Sequence, residues 1–411
     1  MKISNVDVKD LKAKYGTPLY IYDQAHLRSN ILGFKNYFKS NSFKTEVIYA
    51  SKAFCIKEML RLLMEYDMSL DVVSQGELYT ALSVGFNPSN IYYHGNNKSI
   101  NELEYALNHN IGYIVVDNLM ELETLEELCN NLNKNVNILI RLNVGVEAHT
   151  HKFIVTAHVD SKFGVLYNSS DYNQMMDILS KSSKVRFKGF HSHIGSQIFD
   201  LNAFTAAVEK LVGICKDFNE PLVLDIGGGF GVRYTDEDKP IPFNIVSETL
   251  IKTCEDALNQ NGVKIEKLCI EPGRSIVAEA GYTLYTIGYI KKTPNKQYYF
   301  IDGGMTDNIR PALYQAQYAC DIVGKENEFK KNVVTIAGKC CESGDLIIEN
   351  CPLPDAEKGD LLITYTTGAY GYSMSSNYNK ALTPAVVFVE DGHDKLVCKR
   401  QTYDELLERE I

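Results

Sequence analysis

Residues 222–229 have the sequence LVLDIGGG, a short apolar run that ends in an aspartate and a glycine turn. Such a run, bounded by glycine, is typical of a buried β-strand. Amphipathic stretches separate it from seven further runs between residues 46 and 273, which are EVIYAS, SLDVVS, NIYYHG, GYIVVD, NILIRLN, RFKGFHSH and KLCIEPG. Eight strands that alternate with helices predict a (β/α)8 barrel around a parallel sheet.

The sequence pattern changes after residue 280, where closely spaced strand candidates are separated by Gly, Pro, Asn and Asp turns. We therefore expect an antiparallel C-terminal β domain, built as a sandwich or a barrel-like sheet. The segment TPLYIYD at residues 17–23 resembles an isolated strand ahead of the barrel, and we expect it to join this sheet. The predicted domains are the barrel at residues 24–280 and the β domain at residues 1–23 and 281–411.

The amino-acid composition indicates which kinds of partner the protein can bind. The chain has 411 residues, a formal net charge of -10 and 45% hydrophobic residues, which is globular composition without the clustered cations that nucleic acids or anionic membranes require. No stretch approaches the roughly 20 apolar residues that span a bilayer. Ten scattered cysteines fit reduced thiols better than a disulfide framework. We expect a cytoplasmic protein that acts on a small molecule, with no nucleic-acid or membrane partner.

Polar residues follow the predicted strands at their carboxyl ends, where the active sites of barrels lie. Chance explains one or two such residues, because every strand must enter a loop, but it explains the whole set poorly. The set is Ser51, Lys52, Asp71, Glu77, His191, His193, Gly227, Gly228, Gly229, Glu271 and Arg274.

Three features of this set suggest a pyridoxal-phosphate pocket. The run DIGGGFG follows the seventh strand, where backbone N–H groups commonly bind phosphate, and Ser196 offers a further hydroxyl. Lys52 follows a strand among apolar residues, where desolvation lowers an amine's pKa and makes it a Schiff-base nucleophile. Glu271 is placed to keep a pyridine nitrogen protonated. Taken alone, such a lysine is more often a snorkelling side chain.

Two other functions compete with this interpretation. The HxH pairs, His149 with His151 and His191 with His193, have a spacing that can chelate zinc, with Asp225 or Glu271 completing the ligands of a metal-dependent hydrolase. That hypothesis leaves the glycine run and Lys52 unexplained, so we expect no metal. A non-enzymatic vitamin carrier would keep the cofactor site but leave the β domain without a role.

The motifs resemble those of diaminopimelate decarboxylases, which belong to the barrel-type class of pyridoxal-phosphate enzymes together with ornithine and arginine decarboxylases. The resemblance runs along most of the chain. It lies in motifs that occur in the family's order, which are YASKA, DVVSQGEL, RLNVGVEAHTHKF, DSKFG, HSHIGSQ, DIGGGFG, EPGRS, RPALY, CESGD and GAYGYSMSSNYN.

The resemblance implies roles for residues around a bound pyridoxal 5'-phosphate. Lys52 forms the Schiff base, His193 stacks on the ring, and Glu271 binds the pyridine nitrogen. The phosphate is held by Ser196, Gly228, Gly229, Arg274 and Tyr370. The remaining cofactor contacts are Asp71, Gly227 and Gly273.

The resemblance also implies a homodimer with shared active sites, in which CESGD of one subunit covers the site of the other. Cys341 then donates the proton that replaces carbon dioxide, and Cys340 is structural. Glu342 is suited to the distal ammonium of the substrate. The distal carboxylate is matched by Arg274, Arg310 and Tyr314, and Tyr370 also contacts the substrate.

These roles imply decarboxylation of meso-2,6-diaminopimelate to L-lysine and carbon dioxide, the last step of lysine biosynthesis. Arg310 in RPALY favours this substrate because an arginine pairs with a distal carboxylate that lysine and ornithine lack. A decarboxylase of ornithine, lysine, arginine or carboxynorspermidine is the alternative. The chain departs from the family after GAYGYSMSSNYN, where arginines are expected and Lys380 stands.

Overall fold

The computed structural model describes residues 1–146 and 160–411, and the chain divides into two compact units. The barrel unit comprises Ile31–Gly231 and Pro240–Gly273. The β unit comprises Met1–Asn30, Val232–Lys239 and Arg274–Ile411. Each unit thus draws on segments that are distant in the sequence.

The N-terminal segment begins with two short antiparallel strands and a helix. Asp7 caps that helix because its carboxylate accepts a hydrogen bond from the Lys9 backbone N–H at 2.9 Å. A strand and a longer helix follow. The elements are β1 (Lys2–Ile3), β2 (Val6–Asp7), α1 (Val8–Tyr15), β3 (Leu19–Asp23) and α2 (Gln24–Tyr37).

The barrel unit is built on parallel strands, which are β4 (Lys44–Ala50), β5 (Ser69–Val72), β6 (Ile91–Tyr93), β7 (Tyr113–Val116), β8 (Val136–Asn143), β9 (Val165–Leu166), β10 (Val185–His191), β11 (Leu222–Asp225) and β12 (Ile265–Ile270). The ring closes because β12 pairs with β4 and β8 pairs with β10. Strand β9 pairs with β8 beside the ring. The predicted eight-stranded barrel is confirmed, and each of the eight predicted runs overlaps one of its strands.

A helix follows each barrel strand in the chain. Short polar residues start several of them, since a side-chain oxygen at this position satisfies a free backbone N–H of the first turn. Ser74 and Asn118 act in this way, and Ser99 forms a capping box with Glu102. The helices are α3 (Lys57–Glu65), α4 (Gln75–Ser83), α5 (Ile100–Asn108), α6 (Leu119–Leu132), α7 (Ser170–Lys181), α8 (Leu201–Ile214), α9 (Phe243–Asn261) and α10 (Arg274–Val277).

The interior of the barrel is apolar along the strands. Its central cluster takes one buried side chain from each of six strands, which are Ile48, Tyr92, Val115, Leu139, Val223 and Cys269. A packed interior closes the barrel to solvent along its axis. Polar groups are therefore left for the carboxyl ends of the strands.

The β unit contains a sheet of nine strands. Seven of them lie side by side in the order β17-β16-β14-β13-β3-β19-β20, and β18 pairs with β13 and with β15. Its elements are β13 (Gly281–Lys292), β14 (Gln297–Ile301), α11 (Arg310–Tyr314), β15 (Cys320–Ile322), β16 (Asn332–Ala337), β17 (Leu346–Leu353), β18 (Leu361–Thr364), β19 (Ala385–Glu390), β20 (His393–Cys398) and α12 (Tyr403–Leu407).

Strand β3 joins this sheet, which confirms the prediction for TPLYIYD. It pairs antiparallel with β13 and parallel with β19. A second parallel pair links β14 and β16, so the sheet is mixed although most of its pairs are antiparallel. One buried apolar cluster of the unit includes Leu19, Leu284 and Val387, and another includes Tyr285 and Ile336.

Candidate active site

The barrel unit holds a buried carboxylate, Glu271, between two imidazoles. Glu271 follows β12 and is 4% exposed, while His94 follows β6 and His191 ends β10. His191 Nε2 lies 3.3 Å from Glu271 Oε2, and His94 Nε2 lies 2.9 Å from Oε1. The His94 contact is short but poorly aligned, so Oε1 has no well-formed hydrogen bond from the part of the chain that the structure describes.

Three buried carboxyl groups at this end of the barrel differ in their protonation. Burial raises the pKa of Asp71 and raises the pKa of Asp225 well above its usual value. Burial would also raise the pKa of Glu271, but His94 and His191 outweigh it and hold that pKa well below its usual value. The surroundings therefore favour the charged form of Glu271 and the neutral form of Asp225.

The imidazoles of His191 and His193 are neutral at pH 7. Burial lowers the pKa of His191 to about 4. Burial, helped by the charges of Lys52 and Arg141, lowers the pKa of His193 well below its usual value. The Gly228 backbone N–H donates a hydrogen bond to His193 Nδ1 at 3.3 Å, so a proton on this ring belongs at Nε2. His193 thus presents a flat, uncharged ring.

Lys52 brings an amine to the same end of the barrel. It lies in a 3₁₀ turn, Ser51–Ala53, directly after β4. Its Nζ lies 3.9 Å from Asp71 Oδ2, and 41% of its side chain is exposed. The amine is therefore held near a carboxyl group and remains accessible to a ligand.

The turn after β11 approaches its neighbours so closely that only glycine fits. A Cβ on Gly228 would lie 2.0 Å from the Glu271 carbonyl oxygen, and one on Gly229 would lie 2.2 Å from the Gly195 carbonyl oxygen. Gly229 also has a φ of +107°, a conformation that side chains disfavour. The turn packs backbone against the loops that carry Glu271 and Ser196.

The β unit holds a cluster of two arginines and three tyrosines. An Arg274 N–H donates a hydrogen bond to Tyr234 Oη at 2.6 Å, and the guanidinium lies 4.9 Å from the centre of the Tyr370 ring. An Arg310 N–H donates to Tyr318 Oη, and its guanidinium lies 4.9 Å from the Tyr234 ring. Aromatic faces stabilise both cations.

Arg310 is buried without an anionic partner. It is 6% exposed, and no carboxylate within residues 1–146 and 160–411 forms an ion pair with it. A buried charge is costly unless it is paired, and tyrosine rings and hydroxyls offset only part of that cost. The cluster is therefore suited to bind a carboxylate or phosphate from a ligand.

The loop after β16 displays a thiol. Cys341 is exposed, and its backbone N–H donates to Asn379 Oδ1 at 2.9 Å. The Cys340 backbone N–H donates to Asp345 Oδ2 at 2.8 Å, and Met305 donates to the other oxygen of the same carboxylate at 2.6 Å. These bonds fix the backbone of the loop and leave the Cys341 side chain at the surface.

Comparison with known proteins identifies the family, through a match that includes the whole barrel unit. Residues 24–278 match the model of the pyridoxal-dependent decarboxylase family, pyridoxal binding domain. The chain is 48% identical to the diaminopimelate decarboxylase of Bacillus methanolicus, over 98% of this chain and 94% of that protein. The chain belongs to the diaminopimelate decarboxylase family. The resemblance inferred from the motifs is confirmed.

Further relatives of the family agree over the full length. The diaminopimelate decarboxylase of Bacillus subtilis (strain 168) is 46% identical over 100% of this chain and 95% of its own. The crystal structure of the Helicobacter pylori diaminopimelate decarboxylase complexed with L-lysine is 32% identical, with a TM-score of 0.90 and 98% of both chains covered.

Within this family member, the sequence predictions fall into three groups. The barrel unit brings Lys52, Asp71, His193, Gly228 and Glu271 to the carboxyl ends of its strands. The β unit brings its predicted residues together in one cluster, which contains Arg274, Arg310 and Tyr370.

The third group lies at the surface. Cys341 and Glu342 are exposed, and Tyr314 is half-buried at the end of α11. No contact joins Cys341 or Glu342 to the arginines among the residues described. Their predicted roles in the family's reaction remain predictions.

The competing zinc hypothesis rested on two HxH pairs, of which only His191 and His193 lie in the described residues. These two histidines contact different groups. His191 contacts Glu271, whereas His193 contacts the Gly228 backbone. His149 and His151 lie outside the described residues. The group with metal-ligand spacing is instead His94, His191 and Glu271, whose ligand atoms lie within 4.8 Å of one another.

Three site residues were missed from the sequence. His94 ends the run NIYYHG at the strand mouth, so the rule that selected Asp71 could have selected it as well. Tyr234 and Tyr318 have no such signal, since the first follows a barrel strand by nine residues and the second lies between two elements of the β unit. Only folding brings them around Arg310.

Proposed function

We propose that this chain decarboxylates meso-2,6-diaminopimelate to L-lysine and carbon dioxide, as the last step of lysine biosynthesis, with pyridoxal 5'-phosphate as cofactor. The reaction makes it a carboxy-lyase, as its relatives are by name. The observation that carries the proposal is the buried Arg310, which is surrounded by tyrosines and forms no ion pair with a carboxylate among the described residues.

The barrel residues fit the cofactor. Glu271 Oε1 is buried, charged and without an aligned donor among the described residues, so it suits the N–H of a pyridinium. His193 offers a neutral ring for stacking, and Lys52 offers an accessible amine for covalent attachment. When bound, pyridoxal phosphate supplies the electron sink that lets a carboxylate leave as carbon dioxide.

We assign the phosphate to backbone N–H groups and a cation. Gly228 and Gly229 form a turn without side chains, and Ser196 lies in the neighbouring loop. Arg274 and Tyr370 complete the set from the β unit. In the proposal, the barrel at residues 24–280 binds the cofactor, and residues 1–23 and 281–411 add to the active site and the dimer interface.

Arg310 sets the substrate class. Diaminopimelate carries a carboxylate at its far end, which can pair bidentately with the guanidinium. The far ends of lysine, ornithine and arginine are cations, which a buried arginine repels. Arg274 and Tyr314 are assigned to the same carboxylate, and Tyr370 is assigned a further contact with the substrate.

Cys341 and Glu342 are assigned to an active site of a partner subunit. Their exposure, on a loop whose backbone is tied by Asp345 and Asn379, suits side chains that act across an interface. Cys341 Sγ donates a proton to the carbon that has lost carbon dioxide, and Glu342 receives the distal ammonium. All ten cysteines are free thiols, which supports a reducing, cytoplasmic location. No helix in the described ranges has the length and apolar content to cross a membrane.

One observation favours a second candidate, a metal-dependent barrel hydrolase. His94, His191 and Glu271 have ligand atoms close enough to share an ion. The hydrolase leaves Lys52 and the buried Arg310 without a role, so it ranks second. A decarboxylase of another basic amino acid, or of carboxynorspermidine, would share the barrel site and differ at Arg310.

The test is carbon dioxide release from meso-diaminopimelate, lysine, ornithine and arginine, measured side by side with pyridoxal phosphate and with or without a chelator. We expect release from diaminopimelate alone, unaffected by the chelator. Release mainly from lysine or ornithine would overturn the role of Arg310. Release from none of the four amino acids would favour the hydrolase.

A further inference from the structure

Two thiols of the β unit face each other in its core. Cys320 lies in β15 and Cys351 lies in β17, and they are 31 positions apart in the sequence. Their Sγ atoms are 3.4 Å apart, and the side chains belong to one apolar cluster. The two residues are 4% and 8% exposed. Nothing in the proposed decarboxylation uses either thiol.

A cavity reaches both sulfur-bearing residues. It has a volume of about 1140 Å³, and its wall includes Cys320, Cys351, Lys330, Tyr318 and Gln317. Lys330 also forms an ion pair with Asp321, the residue after Cys320, with Nζ and Oδ1 2.7 Å apart. A small oxidant can therefore approach the thiols, and a cation stands close enough to favour a thiolate.

The two thiols are not equivalent. The hydrogen bond from Cys320 and the charge of Lys330 lower the pKa of Cys351. The same hydrogen bond and burial raise the pKa of Cys320 well above its usual value. Cys351 is thus the more nucleophilic sulfur, and Cys320 supplies the proton.

We propose that Cys320 and Cys351 form a reversible disulfide when the protein meets a peroxide. The Cys351 thiolate attacks one oxygen of hydrogen peroxide, which breaks the O–O bond, oxidises the sulfur to a sulfenic acid and releases water after proton uptake. The Cys320 thiol then attacks that sulfur and displaces a second water. The balance is two thiols and one peroxide consumed, with one disulfide and two waters formed.

The bond would couple to the arginine cluster of the same unit. Tyr318, which accepts a hydrogen bond from Arg310, lies two residues before Cys320. Strand β17 begins directly after the loop that carries Cys341. Closing the sulfur atoms from 3.4 Å to the roughly 2.05 Å of a disulfide pulls β15 towards β17. This coupling rests on the proposed function, whereas formation of the bond does not.

The experiment exposes the cofactor-loaded protein to hydrogen peroxide, blocks the remaining thiols and maps the cross-linked peptides by mass spectrometry. We expect a peptide pair joined through Cys320 and Cys351, the loss of two of the ten free thiols, and full recovery with dithiothreitol. Peroxide that oxidises the exposed Cys341 and leaves Cys320 and Cys351 as free thiols would overturn the proposal.

Variants separate this bond from other oxidation. Cys320→Ala and Cys351→Ala should each abolish the cross-link, while Cys254→Ala, which removes a buried thiol of the barrel unit, should leave it intact. In the oxidised wild type we expect the KM for diaminopimelate to rise several-fold, with no such rise in Cys351→Ala. A mapped disulfide with an unchanged KM would support formation of the bond and overturn its coupling to the arginine cluster. The map of cross-linked peptides shows whether the disulfide forms even if no decarboxylase activity is found.

Discussion

The barrel unit and the β unit each bury charge, but they do so in opposite ways. In the barrel, Glu271 lies between His94 and His191, which hold the pKa of its carboxyl group well below the usual value. In the β unit, Arg310 is surrounded by tyrosines and has no anion among the described residues. The first charge is favoured by side chains of its own unit, whereas the second is left to pair with a ligand.

This difference gives the two units different roles. The barrel unit keeps a fixed negative charge, and the β unit selects the ligand. A carboxylate whose ionisation is held by neighbouring imidazoles keeps the same charge whichever amino acid is bound. A buried guanidinium without a counter-ion gains most from a ligand that brings a carboxylate. We infer that the barrel cluster determines the chemistry and the Arg310 cluster determines the substrate.

The largest expected effect comes from Lys52→Ala in the barrel unit. The variant lacks the accessible amine near Asp71, so we expect it to lose turnover and the absorbance of the lysine-bound cofactor. Absorbance spectra and carbon dioxide release measure both. Lys57→Ala, which alters an exposed lysine at the start of α3, should behave as the wild type. Full activity of Lys52→Ala would contradict the assignment of the barrel site.

Glu271→Gln should have the next largest effect. It removes the negative charge of the carboxylate that lies between the two imidazoles. Loss of one buried electrostatic contact to the reacting group lowers kcat by roughly 10²- to 10³-fold. Steady-state kinetics at saturating cofactor measure the loss. The control is Glu266→Gln, which changes an exposed carboxylate on the same strand. An unchanged kcat would mean that the Glu271 charge serves stability alone.

Cys341→Ala should retain the cofactor and lower kcat by about 10²-fold, at the lower end of the range for proton transfer. The cofactor spectrum should be unchanged, because the thiol lies on the exposed loop of the β unit. Cys340→Ala on the same loop is the matched control. Wild-type turnover by Cys341→Ala would show that another group donates the proton.

The sequence predicted the barrel well because its signal is local. Each strand, LVLDIGGG for example, carries its own apolar run and turn, and polar residues at the strand ends converge once the sheet is parallel. The Arg310 cluster was only half predicted. Its arginines stand in motifs, but Tyr234 and Tyr318 come from separate segments, and no local pattern marks them.

The contact made by Lys380, where the chain departs from the family after GAYGYSMSSNYN, could also be seen only in the folded structure. Lys380 forms an ion pair with Glu410 near the end of the chain, and both side chains are about half exposed. A sequence pattern cannot connect two charges that lie 30 positions apart. This pair explains the local structure around Lys380, and it involves none of the assigned site residues.

The smallest expected effect is on stability. The pKa of His191 in the folded protein is about 4, below the ordinary histidine value of 6.5, so only the unfolded chain gains this proton as the pH falls below 6.5. Stability from His191 is therefore present above pH 6.5 and is lost towards about pH 4. Between pH 7 and about pH 5, the wild-type apoprotein should lose about 2 kcal/mol more than His191→Asn. Urea unfolding measures this difference, and equal losses would contradict the neutral, buried His191.

The most direct test compares kcat/KM for meso-diaminopimelate and for L-lysine in the wild type and in Arg310→Met. We predict that the wild type prefers diaminopimelate and that the variant loses at least about 30-fold on diaminopimelate, because truncating a buried charge pair costs about 2 kcal/mol or more. Its activity towards lysine should not fall. A variant that decarboxylates diaminopimelate as the wild type does would contradict the claim that the β unit selects the substrate.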